Sequence, residues 1–215
     1  MGLFLLWVLL AYLLGSIPCG VLVAKIMGGP DPRRSGSGNI GAANVYRLLG
    51  RNAGAFTLMG DLLKGAGPVF LVRFSSPGWG SWHDPAVAAV ALAAVCGHIW
   101  PLYLKFQGGK AVATSAGVFL VLCPAATALL VVVYLAVFWR WRTSSLAALA
   151  AAWTAPLAFG LLGASKPYLL LSGVLSALIL WRHLDNLRRW ARGEELQLQE
   201  SRQRLQERRN PGADN

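Results

Sequence analysis

The chain has 215 residues, of which 55% are hydrophobic and only 13% are charged, and several apolar runs are long enough to cross a bilayer. This composition excludes an ordinary soluble domain and indicates an integral membrane protein. The net charge of +11 would favour a nucleic-acid partner for a soluble protein. In a membrane protein the basic residues are first assigned to a side of the bilayer, and we expect no nucleic-acid partner.

The first half of the chain predicts three membrane spans. Leu3 to Met27 is the first, and it lacks the basic start of a signal peptide, so we interpret it as retained. Ala55 to Phe74 is the second span and Pro85 to Leu104 is the third. The loop between the first two carries several arginines and is expected in the cytoplasm, whereas the linker Ser75 to Asp84 has no Lys or Arg and is expected outside.

The second span contains a pair of charged residues. Asp61 and Lys64 are three residues apart and therefore lie on one face of a helix. Charged side chains are costly within a membrane and need a reason. We expect a paired, partly buried couple that supports the neighbouring loops and does not react.

The apolar stretch from Ala111 to Trp139 is too long for one span. Its 29 residues would form a helix of about 43 Å, against a hydrocarbon core of about 30 Å. We expect a break at Cys123–Pro124 that divides it into a short span, Ala111 to Leu122, and a full one, Pro124 to Trp139. Pro124 is then tolerated in the first turn of the second helix, where its missing N–H costs nothing.

Two further spans, Leu146 to Leu162 and Tyr168 to Trp181, complete the predicted fold. It is an all-α polytopic membrane protein with seven transmembrane helices, the N-terminus outside and the C-terminus cytoplasmic. Only Arg73 and Lys166 of the 20 lysines and arginines then face outward, which supports this topology.

The predicted domain organisation is one membrane domain, residues 1–195, followed by a charged cytoplasmic tail over residues 196–215. Within the tail, Leu196 to Arg209 is either an interfacial helix or a solvated, disordered segment. Cys19, Cys96 and Cys123 lie in apolar surroundings without metal-ligand spacing, so we expect neither a disulfide framework nor a metal site.

Three polar segments meet at the cytoplasmic face in this topology. The first, GSGNIGAANVYR at residues 36–47, offers backbone N–H groups, small donors and the planar fork of Arg47 to a phosphate, but it also has the composition of a linker. The second, residues 97–114, places Gly108, Gly109 and Lys110 just before a predicted helix N-terminus. These are the parts of a phosphate-binding loop, although a basic loop that anchors a span looks the same.

The third polar segment covers residues 182–189 at the end of the last span. Its arginines are typical topology anchors, but His183 and Asn186 share a helix face, which anchoring does not explain. His98, near the second segment, is either a site residue or a hydrogen-bonded packing residue.

Together, GSGNIGAANVYR, GHIWPLYLKFQGGKAVAT and RHLDNLRRWARGEE closely resemble the three signature regions of the bacterial acyl-phosphate glycerol-3-phosphate acyltransferases, integral membrane enzymes of early phospholipid synthesis. The resemblance covers residues 3–195 and includes GDLLKG at residues 60–65. It implies catalytic roles for His183, Asn186 and Ser37. The substrate-binding positions that it implies are Asn39, Asn44, Arg47, Gly108, Gly109 and Lys110, with Ser145 as a weaker candidate.

The chain departs from the family pattern at a few positions. Ala43 stands where the family usually has Thr, and Ala111 stands where it usually has Gly. After the fifth span the family's Ser-Leu-x-Ser run is here Ser145-Leu146-Ala147-Ala148, so only the first serine remains. These differences remove a hydroxyl donor and backbone freedom, but no charged group.

The resemblance implies transfer of a fatty acyl group from acyl phosphate to the 1-hydroxyl of glycerol-3-phosphate, giving lysophosphatidic acid and inorganic phosphate. The implied location is the bacterial inner membrane, with the active site facing the cytoplasm, and no metal or other cofactor is expected. The basic loops suit two phosphate-bearing substrates, and a lipid-facing groove would hold the acyl chain. The sequence alone leaves acyl-CoA and acyl carrier protein open as donors, and it does not give the oligomeric state.

The alternative is a transporter of an organophosphate or an anionic lipid, which would need similar basic loops and buried charges. The chain shows no pseudo-symmetric halves, and its cations concentrate on one face. For the enzyme, His183 is the favoured general base because imidazole is a stronger base than a carboxylate. Proton transfer to a substrate phosphate, or prior acylation of Ser37, remain open.

Overall fold

A computed structural model describes residues 2–75 and 79–192. Ten α-helices make up most of these residues, which confirms the all-α prediction. In chain order they are α1 (Gly2–Gly15), α2 (Cys19–Ile26), α3 (Ala42–Leu49), α4 (Arg51–Ser75), α5 (His83–Ile99), α6 (Val112–Leu122), α7 (Pro124–Trp141), α8 (Ser144–Leu161), α9 (Lys166–Arg182) and α10 (Leu184–Ala191). The predicted tail, residues 196–215, lies outside the described residues.

Several helices have the dimensions of membrane spans. Within the described residues, α4, α7, α8 and α5 with its flanking turns are long and apolar enough to cross a membrane, and the bent pair α1–α2 is a fifth candidate. The predicted fourth and seventh spans are the shorter helices α6 and α9, with 11 and 17 residues. Helix length therefore agrees with a multi-span membrane protein, without establishing the predicted count of seven.

The first predicted span is broken, which the sequence prediction of one helix over Leu3 to Met27 missed. Helices α1 and α2 meet at an angle of 41° around Ser16–Pro18, where Pro18 has no N–H to continue the helical ladder. The carbonyl of Ile17, freed by the break, accepts hydrogen bonds from the Cys19 N–H at 3.0 Å and from Lys64 Nζ at 2.7 Å. A charged side chain of α4 thus satisfies the broken backbone.

The predicted break at Cys123–Pro124 is confirmed. Helix α6 ends at Leu122 and α7 begins at Pro124, which occupies the first turn. The last turn of α6 is capped from α4, because Arg73 Nη1 donates to the carbonyl oxygens of Val121 and Leu122 at 2.9 and 2.8 Å. With 11 residues, helix α6 is only roughly 16 Å long. Its last carbonyl groups are capped from within the protein.

Helix α3 lies in the segment for which the sequence predicted only a polar loop. Its eight residues place Val45 and Leu48 in the protein interior, and α4 follows almost directly at Arg51, before the predicted start at Ala55. The helix is strongly amphipathic, so its apolar side packs into the protein and its other side is polar.

Glycines allow the central helices to pack closely. A Cβ at Gly65 of α4 would overlap the carbonyl oxygen of Thr114, and one at Gly117 of α6 would overlap that of Leu62. This reciprocal arrangement brings the backbones of α4 and α6 together, as small residues do in membrane helix pairs. The pair positions the N-terminal part of α6 beside α4, at one side of the candidate site.

Candidate active site

A cavity of about 460 Å³ lies between α3, α4, α6, α7 and α8 and the end of α9. Three polar segments that are far apart in the sequence meet around it, as the sequence predicted. The predicted site residues that line it are Ser37, Asn39, Asn44, Arg47, Lys110, Ser145, His183 and Asn186. Gly108 and Gly109 are not among the lining residues.

The loop before α3 is organised by Asn44. Its amide Nδ2 donates to the carbonyl oxygens of Pro32, Ser35 and Asn39 at 3.0, 3.0 and 2.8 Å, and its Oδ1 accepts the N–H of Ser37 at 2.9 Å. Asn44 is buried, and these bonds use its side chain within the loop. Its position indicates that it shapes the loop and presents Ser37.

A local ion pair orders the start of the same loop. Arg33 donates to the carboxylate of Asp31, with Nη2 and Oδ2 2.5 Å apart. This hydrogen bond lowers the pKa of the Asp31 carboxyl and raises the pKa of Arg33. Both side chains are substantially exposed, so the pair shapes the loop without adding much stability.

The glycines before Lys110 serve packing, which differs from the predicted role as phosphate donors. The N–H of Gly108 donates to the Ile99 carbonyl and that of Gly109 to the His98 carbonyl, both at 3.2 Å. A Cβ at either glycine would overlap His98. The two N–H groups are therefore used within the chain.

Arg182, at the end of α9, clamps this glycine turn. Its Nη2 donates to the carbonyl oxygen of Gly108 at 2.9 Å and its Nε to that of Gly109 at 3.1 Å. This role could not be predicted from the sequence, because an arginine at the end of a span is also a typical topology anchor. The clamp fixes Lys110 beside the third polar segment.

Lys110 and the N-terminus of α6 lie together at the cavity. Lys110 Nζ donates to Oδ1 of Asn186. Ala111, Val112 and Ala113, at the start of α6, also line the cavity. Because the first N–H groups of a helix have no partner within the helix, this end favours an anion.

Ala111 has a left-handed backbone conformation. Its φ is +57°, a value that glycine adopts without strain and that alanine adopts at a cost of about 1–2 kcal/mol. This gives a physical reason for glycine at the matching position of the resembling family. The residue caps the N-terminus of α6 directly after Lys110.

His183 is held at the junction between α9 and α10. The sequence placed His183 and Asn186 on one helix, whereas α9 ends at Arg182 and α10 begins at Leu184. His183 is buried, and its Nδ1 lies 2.8 Å from the Ile179 carbonyl. A carbonyl only accepts, so Nδ1 carries a proton, and Nε2 is the basic nitrogen of the neutral ring.

A buried ionic cluster forms part of the cavity wall, where Asp61 and His98 are lining residues. Lys64 Nζ and Asp61 Oδ1 are 2.8 Å apart, and both side chains are at least 96% buried, which confirms the predicted pair and makes it fully buried. His98 Nδ1 lies 3.6 Å from the same carboxylate oxygen and 3.0 Å from the Thr114 hydroxyl. The cluster ties α4, α5 and α6 together, so His98 packs between helices, and it also lines the cavity.

The remaining wall of the cavity is largely apolar. Leu58 of α4 and Val131 and Leu135 of α7 line the cavity and are also about half exposed at the surface of the helix bundle. This side of the cavity therefore reaches the outer surface of the protein. An anionic group at the polar end and a hydrocarbon chain along this wall fit the same cavity.

Some lining residues were missed by the sequence analysis. Tyr134, Ser115 and Thr127 lie within apolar runs and carry no motif that would single them out. The Tyr134 hydroxyl is hydrogen-bonded to the Ser144 hydroxyl at 2.8 Å, beside Ser145 at the start of α8. Only the packing of α6, α7 and α8 brings these hydroxyls to the site.

Comparison with known proteins identifies the same family in the family model and in the individual relatives. A family model described as glycerol-3-phosphate acyltransferase matches residues 5–193. The glycerol-3-phosphate acyltransferase of Rubrobacter xylanophilus is 47% identical over 190 residues, 88% of this chain and 92% of that protein. The one from Myxococcus xanthus is 50% identical over 188 residues, 87% of this chain and 96% of that protein.

Solved structures of one such protein have the same fold. The crystal structure of PlsY (YgiH), an integral membrane glycerol 3-phosphate acyltransferase, in its glycerol 3-phosphate form has a TM-score of 0.83 to this chain at 36% identity. The match covers 90% of this chain and 94% of that one. The lysophosphatidic acid form gives a TM-score of 0.81 with the same identity and coverage.

Proposed function

The chain belongs to the glycerol-3-phosphate acyltransferase family, and on that premise we propose which groups bind the substrates and carry out the reaction. It is an integral membrane enzyme of phospholipid synthesis that acylates glycerol-3-phosphate to lysophosphatidic acid. The transporter alternative is not favoured, because the relatives that cover most of the chain are acyltransferases.

Acyl phosphate is the proposed acyl donor. The main support for this donor is the composition of one cavity. In it, Arg47, Lys110 and the N-terminus of α6 lie beside an apolar wall that reaches the protein surface. Two cations and a helix N-terminus suit the phosphates of a donor and an acceptor. The apolar wall suits the acyl chain.

The proposed chemistry is direct acyl transfer. The 1-hydroxyl oxygen of glycerol-3-phosphate bonds to the acyl carbonyl carbon, and its proton passes to Nε2 of His183. The bond between that carbon and the bridging phosphate oxygen breaks, and inorganic phosphate leaves with the bonding electrons. Lys110 and Arg47 stabilise the charge on phosphate, while Asn186 orients Lys110.

Other cavity residues take supporting roles in this proposal. Ser37 and Asn39 contact a substrate phosphate from the loop that Asn44 organises, and Ser145 contacts substrate from the start of α8. Gly108 and Gly109 act through packing, since they hold Lys110 in place. Proton transfer to a substrate phosphate and acylation of Ser37 are the competing routes.

The proposed topology has seven spans, with the N-terminus outside and the cavity facing the cytoplasm of a bacterial inner membrane. Its support is the charge asymmetry of the sequence, together with helices at all seven predicted positions. Residues 1–195 form the proposed membrane domain. Residues 196–215 form the proposed charged tail, and deletion of residues 200–215 should leave activity largely intact.

The test is an acyl-transfer assay with purified protein in detergent. We expect lysophosphatidic acid to form from glycerol-3-phosphate and palmitoyl phosphate, with release of inorganic phosphate. Palmitoyl-CoA and palmitoyl-acyl carrier protein, supplied separately, should give no product above background. Product from either thioester at a rate equal to that from palmitoyl phosphate would overturn the proposed donor.

A further inference from the structure

Ser115 lies on the face of α6 that lines the cavity, and its hydroxyl is buried. The residue is 1% exposed and lines the cavity, yet its Oγ has no hydrogen-bond partner within the described part of the chain. A hydroxyl removed from water loses its hydrogen bonds to the solvent and normally regains them in the protein. A buried hydroxyl without a protein partner, on the face of a helix that lines a cavity, therefore points to a ligand group at this position.

Hydroxyls elsewhere in the helices behave differently. Thr57, Thr127, Thr154 and Ser176 each donate to the carbonyl four residues earlier, at 2.9, 3.1, 2.8 and 2.8 Å. Such back-bonding is the usual way for a helical hydroxyl to be satisfied. In α6 the Ala111 carbonyl accepts the N–H of Ser115 at 2.8 Å. The Ser115 hydroxyl does not donate to this carbonyl.

The position of Ser115 relative to Lys110 suggests the ligand group. Helix α6 begins at Val112, so Ser115 lies roughly 5 Å further along the helix axis than its first residue. In an acyl phosphate, one bridging oxygen separates phosphorus from the carbonyl carbon. A phosphate held at Lys110 and the α6 N-terminus therefore places the acyl carbonyl within about one helical turn.

Beyond Ser115 the lining becomes apolar. Ala116 and Phe119 of the same helix line the cavity there, together with Leu130 of α7. The acyl chain that occupies this part has only one polar atom near its attachment point, the carbonyl oxygen. The hydroxyls of Thr127 and Tyr134, which also line the cavity, are hydrogen-bonded to the Cys123 carbonyl and the Ser144 hydroxyl, so the unpartnered Ser115 hydroxyl matches the one acceptor of the substrate.

We infer that the Ser115 hydroxyl donates a hydrogen bond to the carbonyl oxygen of the acyl group, an inference that rests on the acyl-transfer function proposed above. Negative charge builds on that oxygen when the 1-hydroxyl of glycerol-3-phosphate attacks, so the hydrogen bond strengthens in the transition state. Ser115 forms no covalent bond and keeps its proton. The same bond forms to the ester carbonyl of lysophosphatidic acid.

The test compares two ligands that differ at this carbonyl. Lysophosphatidic acid carries the ester carbonyl, and its 1-O-alkyl ether analogue replaces that carbonyl with a methylene group. We expect the unaltered protein to bind the ester about 2- to 10-fold more tightly than the ether, the range of one net hydrogen bond. Ser115→Ala should reduce this preference to about onefold and lower kcat/KM for acyl transfer by about 10²-fold.

Matched variants separate this contact from a packing effect. Ser172→Ala removes another fully buried hydroxyl, which donates to the Leu169 carbonyl at 2.7 Å, and it should keep the ester preference. Ser115→Thr keeps the hydroxyl and should keep the preference, whereas Ser115→Cys, a weak donor of similar volume, should lose most of it. The cysteine and threonine variants also serve if the alanine variant fails to fold.

Each outcome decides between the two proposals. An ester preference that is absent from the unaltered protein, or unchanged in both Ser115→Ala and Ser115→Cys, overturns the contact even if acyl transfer is confirmed. A protein that binds both ligands but makes no lysophosphatidic acid from any donor overturns the proposed reaction. In that case the binding ratios still decide whether Ser115 contacts the carbonyl.

Discussion

His183 is the proposed general base, and a backbone contact sets its tautomer. The Ile179 carbonyl fixes the proton on Nδ1 and therefore directs the basic lone pair to Nε2. His183→Ala should lower the rate of acyl transfer by about 10²–10⁴-fold, because the attacking hydroxyl loses its proton acceptor. The fall in rate at acid pH, where a histidine base is protonated, should also disappear from the pH–rate profile.

The control for this variant is folding, checked by thermal denaturation in detergent, which should change little. An acid limb that persists in the residual activity would contradict the assignment and favour proton transfer to a substrate phosphate. An acyl group trapped on Ser37 would instead indicate a covalent route.

Ala111 is a position at which substitution by glycine should raise the stability of the protein. Ala111→Gly should raise the stability of the protein by about 1 kcal/mol, because glycine adopts the observed left-handed conformation without strain. Ala116→Gly, in the interior of the same helix, should lower it by about 0.5–1 kcal/mol. Thermal denaturation of both variants in one detergent makes the comparison, and equal destabilisation by both would contradict the strain.

At the scale of single residues, the sequence identified the polar positions better than their roles. Asn44 and Gly108 were predicted to bind substrate, yet Asn44 bonds to its own loop and the Gly108 N–H bonds to Ile99. A motif gives residue types, but it does not show which polar atoms the backbone already uses. No motif singled out Ser115, because only the folded helix shows that its hydroxyl has no partner within the described residues.

At the scale of helices, close contact between α4 and α6 depends on glycine. Gly117→Ala should destabilise the protein by about 1–3 kcal/mol, because its Cβ would overlap the Leu62 carbonyl and separate the two helices. Gly67→Ala is the matched control, since a Cβ at that position of α4 meets no atom within 4 Å. Denaturation midpoints should fall for the first variant only, and equal midpoints would contradict the predicted overlap.

The buried pair between Asp61 and Lys64 gives a second prediction about the helices. Asp61→Ala should cost about 3–5 kcal/mol and reduce the folded yield, because it leaves a buried ammonium without its carboxylate. Asp185→Ala breaks an exposed pair with Arg188 and should cost at most about 1 kcal/mol. A stable but inactive Asp61→Ala protein would place Asp61 in the reaction instead.

The sequence predicted most helices because apolar length is a strong signal, and Pro124 marked a true boundary. It missed the break at Pro18, since the residues on both sides are equally apolar and the freed Ile17 carbonyl is satisfied by Lys64 from another helix. It also missed α3, whose Gly- and Asn-containing start resembles a loop. Both errors concern places where the local residue types do not show how the backbone folds.

At the scale of the whole molecule, the predicted orientation can be checked with single cysteines. The background replaces Cys19, Cys96 and Cys123, which are free thiols. A cysteine at the exposed Ser81 should react with a membrane-impermeant maleimide on intact cells, whereas one at the exposed Gln107 should react only after the membrane is opened. The reverse labelling pattern would overturn the proposed topology.

The apolar wall formed by Leu58, Val131 and Leu135 has a kinetic consequence. A donor that enters the cavity from the bilayer is dissolved in two dimensions, so the enzyme responds to its mole fraction among the surrounding lipids. Glycerol-3-phosphate arrives from water, and the enzyme responds to its ordinary volume concentration. On the proposed mechanism, the rate of synthesis therefore depends on two independent quantities, the composition of the membrane and the composition of the aqueous phase, which meet within this cavity.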